Sequence, residues 1–174
     1  MKHIITLILA LAATLGWALE PEFASDPAIS PDGEQVCFVF DNDLWLVSYN
    51  GGDAHRLTAT EAGEWGPCWS PDGRWIAFNS NREGITLPYL IEPTSGITRL
   101  IIRESFTVND WFADGQSLLC TRYSPSFGRS FFRLNLDGSR PVLLAEIGDS
   151  YATLAPDNKS LVFNRDGNPY REAY

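Results

Sequence analysis

The chain has 174 residues, 44% of them hydrophobic and 13% aromatic, which is too apolar for a disordered segment and long enough to bury a core. Its 13 basic residues are outnumbered by 22 acidic ones, and the formal charge of −9 repels nucleic-acid phosphates and anionic lipid, so neither is an expected partner.

Residues 1–18 stand apart from the rest. Lys2 and His3 precede the apolar run Ile4 to Leu15, and Gly16-Trp17-Ala18 sets small residues at the −3 and −1 positions of a cleavage site. That is the form of a secretory signal peptide, with an apolar run short for a bilayer span. An uncleaved N-terminal anchor is the alternative. The sequence thus points to an exported protein, periplasmic or extracellular, with no transmembrane segment once the signal is removed.

From residue 19 to residue 174 one four-residue phrase keeps returning: Ser30-Pro31-Asp32-Gly33, Ser70-Pro71-Asp72-Gly73, Phe112-Ala113-Asp114-Gly115 and Ala155-Pro156-Asp157-Asn158. Its second positions lie 40, 42 and 43 residues apart, a period that marks propeller blades. Proline presets φ for the first corner of a turn, and Asp followed by Gly or Asn accepts the angles of the next corners. Each phrase precedes a short apolar run: Val36 to Phe40, Trp75 to Phe78, Leu118 to Cys120 and Leu161 to Phe163. These runs read as buried strands, so the phrase is the hairpin between the first and second strands of a blade.

Four blades follow, at about 24–61, 62–104, 105–147 and 148–174. In the first, Asp43 to Tyr49 is a third strand, Asn50-Gly51-Gly52-Asp53 a turn and Ala54 to Thr58 a fourth strand. In the second, Leu87 to Glu92 and Ile97 to Ile102 flank the turn Thr94-Ser95-Gly96. In the third, Ser130 to Asn135 and Pro141 to Leu144 flank Asp137-Gly138-Ser139. The fourth is expected to stop after two strands and a loop, Asn164 to Tyr174. The fold class is therefore all-β, a partial propeller of about three and a half four-stranded blades after the signal. Because propellers close with four to eight blades, the chain reads as a fragment that would be poorly stable or associate through its open edges.

Few residues invite chemistry. Asp32, Asp72, Asp114 and Asp157 belong to the turn phrase and read as structural. Asp41-Asn42-Asp43 opens like a calcium loop but lacks the glycine and glutamate such a loop needs. Arg82 and Arg165 each precede an acidic residue and a glycine, and read as local bonds to a carboxylate or a carbonyl that fix a turn, with contact to substrate at the channel mouth as the alternative. Cys37, Cys68 and Cys120 lie in apolar runs and read as core hydrophobes rather than a disulfide; no C-x-x-C pair supports a redox or zinc site. His55 is the lone histidine after the signal, and no G-x-S-x-G, H-E-x-x-H or P-loop phrase is present. The sequence assigns no catalytic, cofactor-binding or metal-ligating residue to these positions, and no cofactor.

The opening Asp26-Pro27-Ala28-Ile29-Ser30, the strand Phe38-Val39-Phe40, Asp43-Leu44-Trp45, Arg56-Leu57-Thr58, Cys68 to Phe78 and Asn81-Arg82-Glu83-Gly84 together resemble the TolB-like class of WD-type propellers. Within it they are most similar to the N-terminal propeller of tricorn-like serine peptidases, the tail-specific processing group. Asn168 to Tyr174 resembles the loop that in these peptidases leads into an Asp-Ile-Trp strand. Leu87-Pro88-Tyr89 departs from the pattern, where an aspartate would open the third strand, and the proline suggests an edge or bulge. The resemblance implies a propeller that filters or guides peptides to a catalytic domain outside this chain, its partners being peptide substrates and the remaining blades and catalytic domain of the same polypeptide. A TolB-like envelope propeller acting as a non-enzymatic interaction module is the alternative reading, and a prolyl-oligopeptidase-type enzyme a third.

Overall fold

The recurring turn phrase sets the architecture. The structure, a computed structural model, describes residues 23–126, 128–148, 152–155, 157–165 and 168–173; the expected signal peptide at 1–18 lies outside them. In each copy the fourth position has a left-handed backbone: Gly33 (φ 77°), Gly73 (70°), Gly115 (62°) and Asn158 (55°). That residue donates its N–H back to the carbonyl of the first position, closing the turn. The Asp of the phrase then caps the exit. Asp32 accepts from the Ser30 hydroxyl (2.6 Å) and the Glu34 N–H (3.0 Å), and Asp72 accepts from Ser70 (2.6 Å) and Arg74 (3.0 Å). In the third and fourth copies the first position has lost its serine, and the hydroxyl is supplied from the sixth position, by Ser117 and Ser160.

Four antiparallel sheets result. Sheet one is β1 (Ser25–Ile29), β2 (Gln35–Phe40), β3 (Asp43–Ser48) and β4 (His55–Arg56), paired in that order. Sheet two is β5 (Glu64–Trp69), β6 (Ile76–Ser80), β7 (Leu87–Ile91) and β8 (Thr98–Leu100). Sheet three is β9 (Thr107–Trp111), β10 (Ser117–Ser124), β11 (Gly128–Asn135) and β12 (Val142–Gly148). Sheet four joins β13 (Ala152–Leu154), β14 (Ser160–Arg165) and β15 (Asn168–Ala173). These are successive propeller blades. The first strands β1, β5, β9 and β13 lie beside one another and form the inner wall. The segment expected to be a closing loop forms a third strand, β15, with Phe163 opposite Tyr170 and Leu161 opposite Glu172.

Alternation along each strand feeds two cores at once. In the second blade Ile76, Phe78, Leu87, Tyr89 and Ile91 pack toward the first blade, while Ala77 and Leu90 pack toward the third. Every residue of β6 and β7 is therefore buried. The third core, between blades three and four, is built on Phe112, Leu119, Phe131, Leu154 and Leu161. Cys37, Cys68 and Cys120 are unpaired thiols within or against these cores, and burial pushes the Cys37 thiol up to about 12.

The turns stack on one another around the propeller. A Cβ added at Gly73 would stand 3.8 Å from Pro31 Cδ of the preceding turn, an ordinary contact, so the space is open and only the backbone angle resists substitution. Gly73→Ala is expected to cost about 1–2 kcal/mol, the left-handed penalty of an ordinary residue. Gly73→Asn should cost less, since Asn158 already serves that position in the fourth blade. Denaturation midpoints of the two variants test the order.

Candidate functional site

A cluster of buried charge joins the first two blades at the end opposite the turn phrases. Asp43, the first residue of β3, is 1% exposed. Its carboxylate accepts from the Arg56 guanidinium on β4, the Thr58 hydroxyl (3.2 Å) and the Thr60 N–H (3.2 Å). Thr58 Oγ1 in turn accepts from the Leu44 N–H at 2.9 Å. The chain then crosses to the second blade, where the Glu64 N–H donates to the Asn42 carbonyl at 3.0 Å. Glu64 is 2% exposed. Its Oε1 accepts from Arg82 and from the Thr60 hydroxyl (3.3 Å), while Oε2 has no hydrogen-bond partner. Arg82 lies over the Tyr89 ring at 4.4 Å and donates to Ser80 Oγ at 3.0 Å. Beyond it, Glu83 accepts from the Tyr89 hydroxyl (3.1 Å) and from Arg103.

Burial, ahead of every other influence, holds the Glu64 carboxyl above the usual carboxylate range, against the lowering by Thr58 and Arg82. A carboxyl raised in the folded state favours folding when protonated, and that contribution fades as pH rises through its folded pKa. Glu64→Gln keeps the shape without the charge. Its stability relative to the parent chain is expected to improve as pH is raised from the ordinary glutamate range through the higher folded pKa. A relative loss over that range, in denaturation midpoints, would show that the Arg82 pair outweighs the burial.

The departure at Leu87-Pro88-Tyr89 is explained by the same geometry. By strand register Leu87 occupies in the second blade the place of Asp43, Pro88 that of Leu44 and Leu100 that of Arg56, and Ile102 follows as the counterpart of Thr58. The charged pair has become a leucine pair, and the N–H that needed the threonine hydroxyl has gone with the proline. All four members of the set change together, which leaves no orphan. Pro88 is neither on an edge nor in a bulge: it sits inside β7, between β6 and β8. Its carbonyl accepts from Ile101 at 3.0 Å, so the side of the strand that lacks a donor faces the point where β8 has ended.

The inner wall carries a second polar set. Asn79 on β6 is 1% exposed; its Oδ1 accepts from the Val108 N–H (2.7 Å) and its Nδ2 donates to the Val108 carbonyl (3.2 Å) and to the Trp65 carbonyl (3.4 Å). Asp26 accepts from the Gly66 N–H at 3.0 Å. Trp69 Nε1 donates to the Ala28 carbonyl (3.1 Å) and Trp111 Nε1 to the Cys68 carbonyl (3.0 Å), each tying a first strand to that of the blade before it. Sequence reasoning missed Asn79, although an asparagine closing the apolar run Trp75 to Phe78 was its signal.

The other singled-out residues are placed as follows. The four turn aspartates stand 40 or so residues apart in separate blades and are not brought together. Asp41 and Asn42 form the left-handed turn between β2 and β3 (φ 51° and 62°), and Asp43 is engaged by Arg56 rather than open to a cation. Arg82 pairs across its own blade with Glu64 at the start of β5, not within its own turn. Arg165 ends β14. His55 is exposed on β4, beside Arg56. Among the described residues no three His, Cys, Asp or Glu side chains gather as a metal site.

Comparison with known proteins agrees with this geometry. A solved TolB-type structure from Agrobacterium tumefaciens superposes with a TM-score of 0.76 at 21% identity, over 88% of this chain and 59% of that one. The crystal structure of the tricorn protease superposes with a TM-score of 0.65 at 22% identity, over 82% of this chain and 15% of that one. At such identities the two share the fold. Tricorn protease homolog 1 of Streptomyces coelicolor is 34% identical over 128 residues, which is 68% of this chain and 12% of the relative's length. The chain thus spans about an eighth of that relative. Residues 21–173 match the model of the tricorn protease N-terminal beta propeller domain, and the chain belongs to that family.

Proposed function

We propose that this chain is the opening part of the N-terminal propeller of an exported tricorn-like serine peptidase, and that it filters or guides peptide substrates to a catalytic domain elsewhere in the same polypeptide. The observation that carries the reading is the arrangement of β1, β5, β9 and β13 as neighbouring inner strands in a chain of the tricorn propeller family. Such a wall offers a passage. The short share of the Streptomyces relative's length leaves ample room there for further domains.

The test is hydrolysis of unstructured peptides by the full-length polypeptide, with labelling by a serine-directed fluorophosphonate. Turnover abolished by the label, on a serine beyond residue 174, supports the proposal. Absence of both turnover and labelling overturns it in favour of a TolB-like interaction module. Export is tested by the N-terminus of the mature protein. A start at Leu19 in the envelope fraction is expected from Gly16-Trp17-Ala18. An intact Met1 in the cytosol overturns it.

A further inference from the structure

A strand edge facing a passage is ordinarily a template on which an extended peptide pairs. The inner strands of the first three blades are built against that use. Each carries an irregularity in its ladder near its middle: residues 26 and 27 between Ser25 and Ala28, residues 66 and 67 between Trp65 and Cys68, and Asn109 between Val108 and Asp110. Pro27 and Pro67 stand at equivalent places in two of these bulges and have no N–H to offer. Gly66 has one, and the Asp26 carboxylate already accepts it. Val108 has both a donor and an acceptor, and the buried Asn79 amide takes both. The left-handed backbones of Asp26 (φ 50°) and Gly66 (φ 60°) further bend the strands away from the flat geometry that pairing needs.

Three blades thus reach one result by three means: proline, a carboxylate from the neighbouring blade, and an amide from the neighbouring blade. We infer that the inner wall of this propeller is non-pairing, so that it admits extended peptides without hydrogen-bonding to their backbone and handles proline-rich or N-alkylated peptides as readily as others. The inference rests on the peptide-guiding reading and gives it a substrate class. A wall that took peptide N–H groups would hold long substrates by many small bonds and favour those without proline. A pre-satisfied wall leaves the peptide's own amides to water and lets it move on.

The test uses the full-length polypeptide and two peptides of equal length and charge, one N-methylated at alternate residues away from the cleaved bond. The expected kcat/KM values agree within about twofold. A tenfold loss on N-methylation overturns the inference. Amide hydrogen exchange of the same protein, with and without the unmethylated peptide, provides a readout independent of catalysis. Gly66 and Val108 amides protected in the absence of peptide, with no new protection over 25–29, 64–69 and 107–111 in its presence, support the non-pairing wall. Peptide-dependent protection in those strands, or free exchange of the Gly66 and Val108 amides without peptide, overturns it. If neither peptide is hydrolysed the peptidase reading fails, and the exchange pattern still decides the inner wall.

Discussion

Replacing Asp43 by alanine is expected to loosen the junction of the first two blades by about 3 kcal/mol, the low end for breaking a buried ion pair. Asp43 is 1% exposed and is the common acceptor for Arg56, Thr58 and Thr60. Its removal takes the acceptor from the buried Thr58 hydroxyl and the half-buried Thr60 N–H, whereas Arg56, whose side chain is 44% exposed, can turn to water. The second blade shows the alternative solution already in place, Leu87, Pro88, Leu100 and Ile102. Transplanting that set as Asp43→Leu, Leu44→Pro, Arg56→Leu and Thr58→Ile is expected to cost less than Asp43→Ala alone, because donor and acceptor leave together. Amide exchange of Leu57, whose N–H bonds to Leu44 within the first blade, and of Glu64, whose N–H bonds to Asn42 across the junction, reads the local opening directly. A quadruple variant less stable than the single one would refute the compensation.

Asn79→Ala should open the junction of the second and third blades by a similar amount, about 3 kcal/mol. It leaves the Val108 N–H and C=O unpaired where water does not reach, at roughly 1–3 kcal/mol for each orphan. Asn79→Asp distinguishes the two bonds. A carboxylate still accepts from the Val108 N–H but can no longer donate to its carbonyl, and it brings an unpaired charge into the site. Both variants are expected to speed exchange of the Val108 amide, with the first blade's amides unchanged. Uniform destabilisation across all blades would instead mark Asn79 as part of one global core.

The blade frame was legible because it is written in local chemistry. A proline, an aspartate and a left-handed glycine or asparagine close the same turn at a period of about 40 residues, whatever surrounds them. The short apolar runs beside them can bury their faces only as strands stacked between neighbours. Hence the phrase, the order of strands within each blade and the burial of Cys37 and Cys120 could be read from residues alone. Strand ends were less legible: β4 is only His55–Arg56, because the residues after it turn inward to serve Asp43 rather than extend the ladder.

What only the tertiary structure decided are the polar pairings between strands of one blade and between neighbouring blades. Asp43 with Arg56 and Thr58, Glu64 with Arg82, Asn79 with Val108 and Asp26 with Gly66 join residues 13 to 40 positions apart, and no local periodicity announces them. Pro88 shows why. Read along the chain it is a strand breaker; in the sheet its missing donor falls where β8 has already ended and its neighbours have lost the groups that needed it. A turn is specified by its own four residues, but a buried polar group is tolerated only through the partner that the fold brings to it.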